Sequence, residues 1–95
     1  MKNAQRNRII RLIKKTLILN KVKRAYLFGS FARHEKKYRD IDIAIDPPKG
    51  ITLLGLAHIE NLLESKTGKK IDLGTIESIS PHVKKYFESE RVALI

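Results

Sequence analysis

The sequence predicts a single α/β domain, more closely α+β, in which helices pack against a small mixed β-sheet. Segments of helical period alternate with short strand-like segments along the 95 residues, in the order α-β-α-β-α-β-α. This length suits one domain spanning 1–95 with a modest core. No apolar run approaches the ~20 residues needed to cross a bilayer, and no secretory leader is expected. The absence of cysteine excludes disulfides and thiolate metal sites and fits a cytoplasmic protein.

The first helix is predicted over Asn3–Leu19, because its apolar residues fall on one side. Ile9, Ile13 and Leu17 would pack on the sheet, and the opposite side is rich in lysine and arginine. The chain has a net charge of +10, much of it near this end. Such a basic end is either a solvated face or a surface that attracts nucleic acid or an acidic partner. A membrane surface is disfavoured, since the helix has no aromatic anchor.

The first strand is predicted over Val22–Phe28 and ends in Gly29-Ser30, with a short helix from about Phe31. A strand that turns directly into a helix leaves unpaired backbone N–H groups, which suit a phosphate group. Gly29 has no side chain, so a ligand can approach the backbone closely there. Ser30 either caps the helix or donates its hydroxyl to a phosphate oxygen.

The second strand, Asp40–Ile45, alternates acidic and apolar residues with period two. Asp40 and Asp42 therefore share one face, about 6–7 Å apart at ~3.3 Å per residue. Two carboxylates at this separation can bind one Mg²⁺ ion or a pair of ions, which predicts metal-assisted phosphoryl or nucleotidyl transfer. Asp46 continues that face but lies beside Pro47, so we interpret it as a turn or capping residue.

Three further elements are predicted after the Pro-Pro-Lys-Gly turn that ends the second strand. The helix among them has an amphipathic pattern and a glycine suited to its C-terminus. The last helix has a serine and a proline at its start, a common pair for capping and the first turn. In order, the elements are a helix over Thr52–Lys66 ended by Gly68, a strand over Lys70–Ile76, and a helix from Ser80-Pro81 to about Arg91.

Asp72 is the only acidic residue of the third predicted strand. If this strand lies beside the strand of Asp40 and Asp42 with the same face outward, Asp72 completes a carboxylate triad. It would then hold the metal and help to deprotonate an acceptor hydroxyl. The alternative is a lone, solvated aspartate.

Basic residues surround the proposed carboxylate site. Arg33, one turn into the short helix, would either pair with a phosphate oxygen or brace an acidic residue. Lys36, Lys37 and Arg39 would either contact a triphosphate or simply keep a surface loop soluble. The three histidines share no metal-ligand spacing, and no GxxxxGK[ST] phosphate loop is present, which disfavours a P-loop NTPase.

The Gly-Ser-Phe-Ala-Arg segment at 29–33, followed by Asp-Ile-Asp at 40–42, resembles the signature of the DNA polymerase β-like nucleotidyltransferase superfamily. At this length the chain resembles the minimal nucleotidyltransferases, antitoxins encoded beside HEPN-domain toxins. The resemblance implies Mg²⁺-dependent transfer of a nucleoside monophosphate, typically AMP from ATP, to a tyrosine hydroxyl of the toxin, within a hetero-oligomer. It also implies that Gly29 and Ser30 hold the β- and γ-phosphates, and that Asp40, Asp42 and Asp72 are the catalytic metal ligands.

The chain departs from this signature in three places. Arg39 stands where serine usually precedes the first aspartate, His34 stands where glycine often follows the arginine, and the loop between Ser30 and Asp40 is one residue shorter. An ion pair between Arg39 and Asp40 would compete with Mg²⁺. Two alternatives therefore stay open: a catalytically weak antitoxin that acts by binding alone, and a nucleic-acid-binding module that uses the basic first helix.

Overall fold

A computed structural model describes residues 3–95 of the chain and confirms the predicted class, a mixed sheet with helices packed against it. Among residues 3–95, none of the helices combines the length and the hydrophobicity of a membrane span. The elements are helix α1 (Asn3–Leu19), strand β1 (Arg24–Phe28), helix α2 (Gly29–Ala32), strand β2 (Ile41–Asp46), helix α3 (Leu53–Thr67), strand β3 (Ile71–Thr75), a 3₁₀ turn (Ile76–Ser78), helix α4 (Pro81–Glu90) and strand β4 (Val92–Ala93).

The strands form one sheet in the order β3-β2-β1-β4. Strand β1 pairs antiparallel with both β2 and β4, whereas β2 and β3 run parallel. The parallel pair is joined through α3, because parallel strands need a crossover connection. In the register, Asp42 lies opposite Phe28 of β1 on one side and opposite Asp72 of β3 on the other. The end of β1 and the beginnings of β2 and β3 therefore lie together, at one end of these three strands.

One face of the sheet, which we call the core face, is covered by α1 and α3. Alternate residues of β2 point to this face, because side chains of a strand alternate between its two sides. These residues, Ile41, Ile43 and Ile45, are each 0% exposed. The helices contribute Ile9, Ile13 and Leu17 from α1 and Ile59 and Leu63 from α3.

The opposite face, which we call the site face, carries Asp42 and Ala44 of β2 and is only partly covered. Helix α4 packs on its β1 side through Phe87, which is buried. The Phe87 ring meets Tyr26 and Phe28 edge-on, with centroid distances of 5.8 and 5.3 Å. Such aromatic contacts fix α4 at one side of the site face and leave the β2–β3 side more open.

Most predicted elements are confirmed, with ends that shift by one or two residues. Helix α1 has the predicted bounds. Thr52 caps α3, where its Oγ1 accepts a hydrogen bond from the Gly55 N–H at 3.0 Å, and Gly68 ends α3 with a left-handed φ of 69°. Strand β1 begins at Arg24 rather than Val22, because its partner β2 ends at Asp46, beside a proline that cannot donate a ladder bond.

Two features of the elements differ from the prediction, the start of α2 and an additional strand. Helix α2 begins at Gly29 rather than about Phe31. Ser80 is the N-cap residue of α4 and Pro81 its first residue, as predicted, although the Ser80 side chain forms no capping hydrogen bond. The sequence does not predict β4, two residues that cover the outer edge of β1, where the Leu94 N–H also donates to the Ala25 carbonyl at 2.8 Å. An uncovered edge has unpaired backbone groups, so a short tail segment is enough to form a strand there.

Candidate active site

Asp42 and Asp72 lie side by side at the edge of the site face, paired across β2 and β3. Each follows a buried isoleucine, so strand alternation turns both carboxylates away from the core. Their side chains are within hydrogen-bonding reach of each other; Asp42 is half-buried and Asp72 is exposed. The structure therefore brings together two of the three carboxylates that the sequence predicts for a metal site.

The carboxyl group of Asp42 is in an environment that disfavours its negative charge. Burial is the largest cause, and it helps to raise the pKa of Asp42 from 3.8 to about 6. The charges of Asp72 and Asp40 raise this pKa further, and so does the hydrogen bond that the protonated carboxyl of Asp42 can donate to Asp72, whereas the charge of Arg33 lowers it. A cation would relieve this repulsion, and carboxylate oxygens are the ligands that Mg²⁺ prefers. The residues present therefore fit the Mg²⁺ that the sequence predicts.

Asp40 lies immediately before β2 and acts on Asp42 through its charge. Within residues 3–95, no three acidic, histidine or cysteine side chains are gathered closely enough to form a complete metal cluster. Asp40 is thus a neighbour of the Asp42–Asp72 pair, and its role as a third ligand stays a prediction. Asp46 is exposed at the far end of β2, opposite Arg24, as expected for a residue that ends the strand.

Gly29, the first residue of α2, lies directly against Asp42. Its φ of +75° is in the left-handed region that favours glycine. A Cβ atom at this position would overlap Asp42 Oδ2, so a larger residue would displace the carboxylate. The sequence assigned the space beside Gly29 to a ligand, whereas the structure fills part of it with Asp42. The Gly-Ser turn and the carboxylate pair are therefore one connected site.

Arg6 of α1 holds α2 from the core side, a contact that the sequence analysis missed. Its Nη1 donates to the Phe31 carbonyl at 2.6 Å, and its guanidinium lies 4.3 Å from the centroid of the Phe31 ring. Phe31 is buried and packs edge-on against Tyr38, with ring centroids 5.0 Å apart. Partial burial lowers the pKa of Arg6 from its usual value. The sequence pattern of α1 places its arginines on the solvent-exposed side of the helix, and nothing in the neighbouring sequence distinguishes Arg6 from the other arginines.

Arg33 follows α2, and two glutamates bind its guanidinium. Its Nε donates to Glu35 Oε2 at 2.7 Å, and its Nη1 donates to Glu90 Oε2 at 2.5 Å. These are the two ion pairs found within residues 3–95. Because Glu90 belongs to α4, Arg33 links α2 to that helix while its charge still acts on Asp42. Arg33 therefore braces α2 against α4, and its binding of a phosphate stays a prediction.

The structure describes the surroundings of two of the three departures from the superfamily signature. His34 has a left-handed backbone with φ of 62°, the conformation for which glycine is the usual residue. Arg39 forms no ion pair with Asp40 in the described part of the chain. The ion pair by which Arg39 was expected to compete with Mg²⁺ for Asp40 is therefore not formed in this conformation of the described residues.

One cleft borders the carboxylate pair, and two others lie at the two ends of β2. A cleft of about 280 Å³, which we call the site cleft, runs from Asp42 and Asp72 along the site face. A cleft of about 360 Å³ at the opposite end of β2, around the turn at 47–50, includes neither carboxylate. A basic cleft of about 420 Å³ lies where β2 and β3 begin and is lined by Lys36, Lys37, Arg39, Lys69 and Lys70.

Comparison with known sequences agrees with this geometry. A family model described as "Nucleotidyltransferase domain" matches residues 9–94. Two proteins of Methanocaldococcus jannaschii, both named as candidate protein adenylyltransferases, are similar to this chain. One is 40% identical over 90 residues, which covers 94% of this chain and 97% of the relative. The other is 47% identical over 74 residues, which covers 76% of each.

Comparison with solved structures supports the same fold. A toxin–antitoxin crystal structure with AMP-PNP has a chain similar to this one, with a TM-score of 0.77 and 25% identity, over 90% of this chain and 72% of that chain. A candidate minimal nucleotidyltransferase gives a TM-score of 0.74 at 24% identity, over 87% of this chain and 86% of that chain. A complex of tri-AMPylated Shewanella oneidensis HEPN toxin with MNT antitoxin gives a TM-score of 0.66 at 24% identity, over 100% of this chain and 72% of that chain. The predicted resemblance is confirmed.

Proposed function

The chain belongs to the nucleotidyltransferase domain family, and on this premise we propose that it transfers AMP from ATP to a hydroxyl group of a partner protein. The two relatives named as protein adenylyltransferases support a protein acceptor and an adenylyl donor. The similar chain from a toxin–antitoxin structure with AMP-PNP supports the biological setting. We propose that the acceptor is a tyrosine of a HEPN-domain toxin and that its modification silences the toxin, so that this chain is an antitoxin.

The single observation that carries this proposal is the contact of Asp42 with both Gly29 and Asp72. One side of Asp42 adjoins the beginning of α2, where backbone N–H groups have no intrahelical partner. The other side adjoins the carboxylate of Asp72. A phosphate-binding turn and a pair of metal-binding carboxylates are the two components that nucleotidyl transfer needs at one point.

Each residue of the site has a distinct part in the proposed reaction. The backbone N–H groups of Gly29 and Ser30 bind the β- and γ-phosphates, and Arg33 adds positive charge beside them. Asp40, Asp42 and Asp72 would hold Mg²⁺, and the bound ion would neutralise phosphate charge and orient the phosphates. Positioning and charge neutralisation supply most of the catalysis in such reactions.

The reaction itself exchanges one phosphorus–oxygen bond for another. The tyrosine oxygen forms a bond to the α-phosphorus of ATP, the bond from that phosphorus to pyrophosphate breaks, and pyrophosphate leaves. The hydroxyl proton passes to a carboxylate oxygen of Asp72, which is the exposed member of the pair and lies on the outer side of Asp42.

The test measures transfer of label from α-labelled ATP to the HEPN partner in the presence of Mg²⁺. We expect Asp42→Asn to reduce the transfer rate about 100-fold or more, since metal-assisted charge stabilisation contributes several kcal/mol. Asp46→Asn is the matched control, because Asp46 lies on the same strand but at its far, exposed end, and its rate should equal that of the wild type.

Two results would contradict the proposal. Equal transfer by Asp42→Asn and wild type would show that the carboxylate pair is not the catalytic centre. Neutralisation of the toxin by Asp42→Asn as effectively as by the wild type would instead identify an antitoxin that acts by binding alone.

A further inference from the structure

We propose that the basic cleft, together with the exposed side of α1, binds a single-stranded nucleic acid through its phosphates. This is a second binding function, separate from the proposed transfer of AMP, because the basic cleft and the site cleft share no lining residue. Gln5 of α1 lines the basic cleft, and α1 covers the core face, so the basic cleft opens towards α1 rather than towards the site face.

Five positive charges converge on the basic cleft from two separate segments of the chain. They belong to Lys36, Lys37, Arg39, Lys69 and Lys70. One segment leads into β2 and the other into β3, and the parallel pairing of these strands places their beginnings side by side. The described lining includes no acidic residue, and none of the five cations forms an ion pair among residues 3–95. Because like charges held close together repel one another, an anion bound in this cleft would stabilise it.

The exposed side of α1 continues this positive surface beyond the cleft. Gln5 lines the cleft, and Arg8, Arg11 and Lys15 are exposed on the turns that follow. Residues three and four apart are neighbours on a helix, so these cations follow one another at about 4.5–6 Å along its axis, at ~1.5 Å per residue. Opposite charges at this spacing commonly stabilise an exposed helix face, but the first acidic residue of the chain is Glu35. Helix α1 therefore has no acidic residue of its own with which these cations could pair.

The length and the uniform sign of this surface favour a nucleic acid over an acidic protein segment. Arg8 to Lys15 alone spans about 10 Å of helix, and the basic cleft extends the surface further. A nucleic acid carries a negative charge at each phosphate, whereas a protein segment would need a continuous run of acidic residues to match it. Four of the five cations in the cleft are lysines, which bind phosphate as point charges, while carboxylates are recognised best by the planar guanidinium of arginine.

The shape of the basic cleft and the presence of Tyr38 favour a single strand. A single strand can enter a cleft of about 420 Å³ and turn its bases towards the protein. Tyr38 lines the cleft, and its ring packs against the buried ring of Phe31 at a centroid distance of 5.0 Å. Bases of every type stack on aromatic side chains, so we expect binding that depends little on sequence.

The test measures the Kd of the full chain for labelled single strands of about 20 nucleotides by fluorescence anisotropy, without ATP or Mg²⁺. RNA and DNA of the same sequence are both used, because they share the phosphates, and the tighter of the two identifies the preferred sugar. At about 0.1 M salt, the double variant Lys69→Gln with Lys70→Gln should raise the Kd about tenfold. Its plot of log Kd against log salt concentration should be shallower by about 1.4, since each lost phosphate contact removes about 0.7 from that slope. Arg8→Gln with Arg11→Gln should have the same effect.

The double variant Lys84→Gln with Lys85→Gln is the matched control, because it removes two charges from exposed positions of α4, outside the basic cleft. Its Kd and salt dependence should equal those of the wild type. Equal losses in all three double variants would show attraction by net charge alone and would overturn the inference, as would unchanged binding by the cleft and α1 variants. Tighter binding of labelled polyglutamate than of either nucleic acid would assign the surface to an acidic protein and would also overturn it. Since ATP and Mg²⁺ are absent, each result is independent of whether the chain transfers AMP.

Discussion

The two faces of strand β2 are built from neighbouring residues but obey opposite physical rules. On the core face, Ile41, Ile43 and Ile45 are fully buried against α1 and α3. On the site face, Asp42 is half-buried beside Asp72, and this placement disfavours its charge. Burial of apolar area stabilises the first face, whereas repulsion between carboxylates destabilises the second. The core face thus stabilises the fold, whereas the site face destabilises it. The destabilised face is the one whose carboxylates can bind a cation.

The largest effect expected from this comparison is on the core face. Ile43→Ala should lower the free energy of unfolding by about 2–5 kcal/mol, because it removes buried methyl groups and leaves a cavity. The control is Leu54→Ala, which also shortens an aliphatic side chain but at a position that is 84% exposed, so its effect should lie within about 0.5 kcal/mol. Urea denaturation of both variants measures the difference. Equal effects at the two positions would contradict the assignment of the core face.

A change at the adjacent residue should have the opposite sign. Asp42→Asn removes a charge that burial and two neighbouring carboxylates disfavour, so we expect the free energy of unfolding to rise. A pKa change of one unit corresponds to about 1.4 kcal/mol, and solvent screening of a half-exposed group reduces the gain, so the rise at pH 7 should be about 1 kcal/mol. The same substitution should reduce AMP transfer about 100-fold or more, which separates stability from function at this residue.

The dependence on pH follows from the raised pKa of Asp42. Its carboxyl binds a proton more readily in the folded state, at a pKa of about 6 against 3.8. The wild type should therefore lose stability as the pH rises from about 4 through 6, because the folded state releases a proton there that the unfolded state has already lost. The stability of Asp42→Asn should not fall over this pH range, whereas the stability of Asp46→Asn should fall as that of the wild type does. A wild-type and Asp42→Asn difference that does not change between pH 4 and pH 7 would contradict the repulsion described for the site face.

The sequence predicted the two faces of β2 because alternation with period two is a local property. The same alternation placed Asp72 correctly once β3 proved to be the parallel neighbour of β2. Contacts between distant segments were not predictable in this way. The Arg6–Phe31 bond and the Arg33–Glu90 ion pair depend on how helices dock, and the sequence motif at 29–33 contains no information on either partner. The contact of Gly29 with Asp42 falls between these cases, since the motif identifies both residues but not which atom fills the space above the glycine.

Helix caps give the smallest expected effect and a second comparison, between a cap whose side chain binds its helix and a cap whose side chain does not. Thr52 and Ser80 occupy the same position before α3 and α4, but only Thr52 accepts a hydrogen bond from its helix. Thr52→Ala should therefore cost about 0.5–1 kcal/mol of unfolding free energy, while Ser80→Ala should change it by less than about 0.3 kcal/mol. Thermal or urea unfolding of the two variants measures this difference. If Ser80→Ala proved as destabilising as Thr52→Ala, the hydroxyl of Ser80 would be engaged in capping in solution, and the difference between the two caps would be refuted.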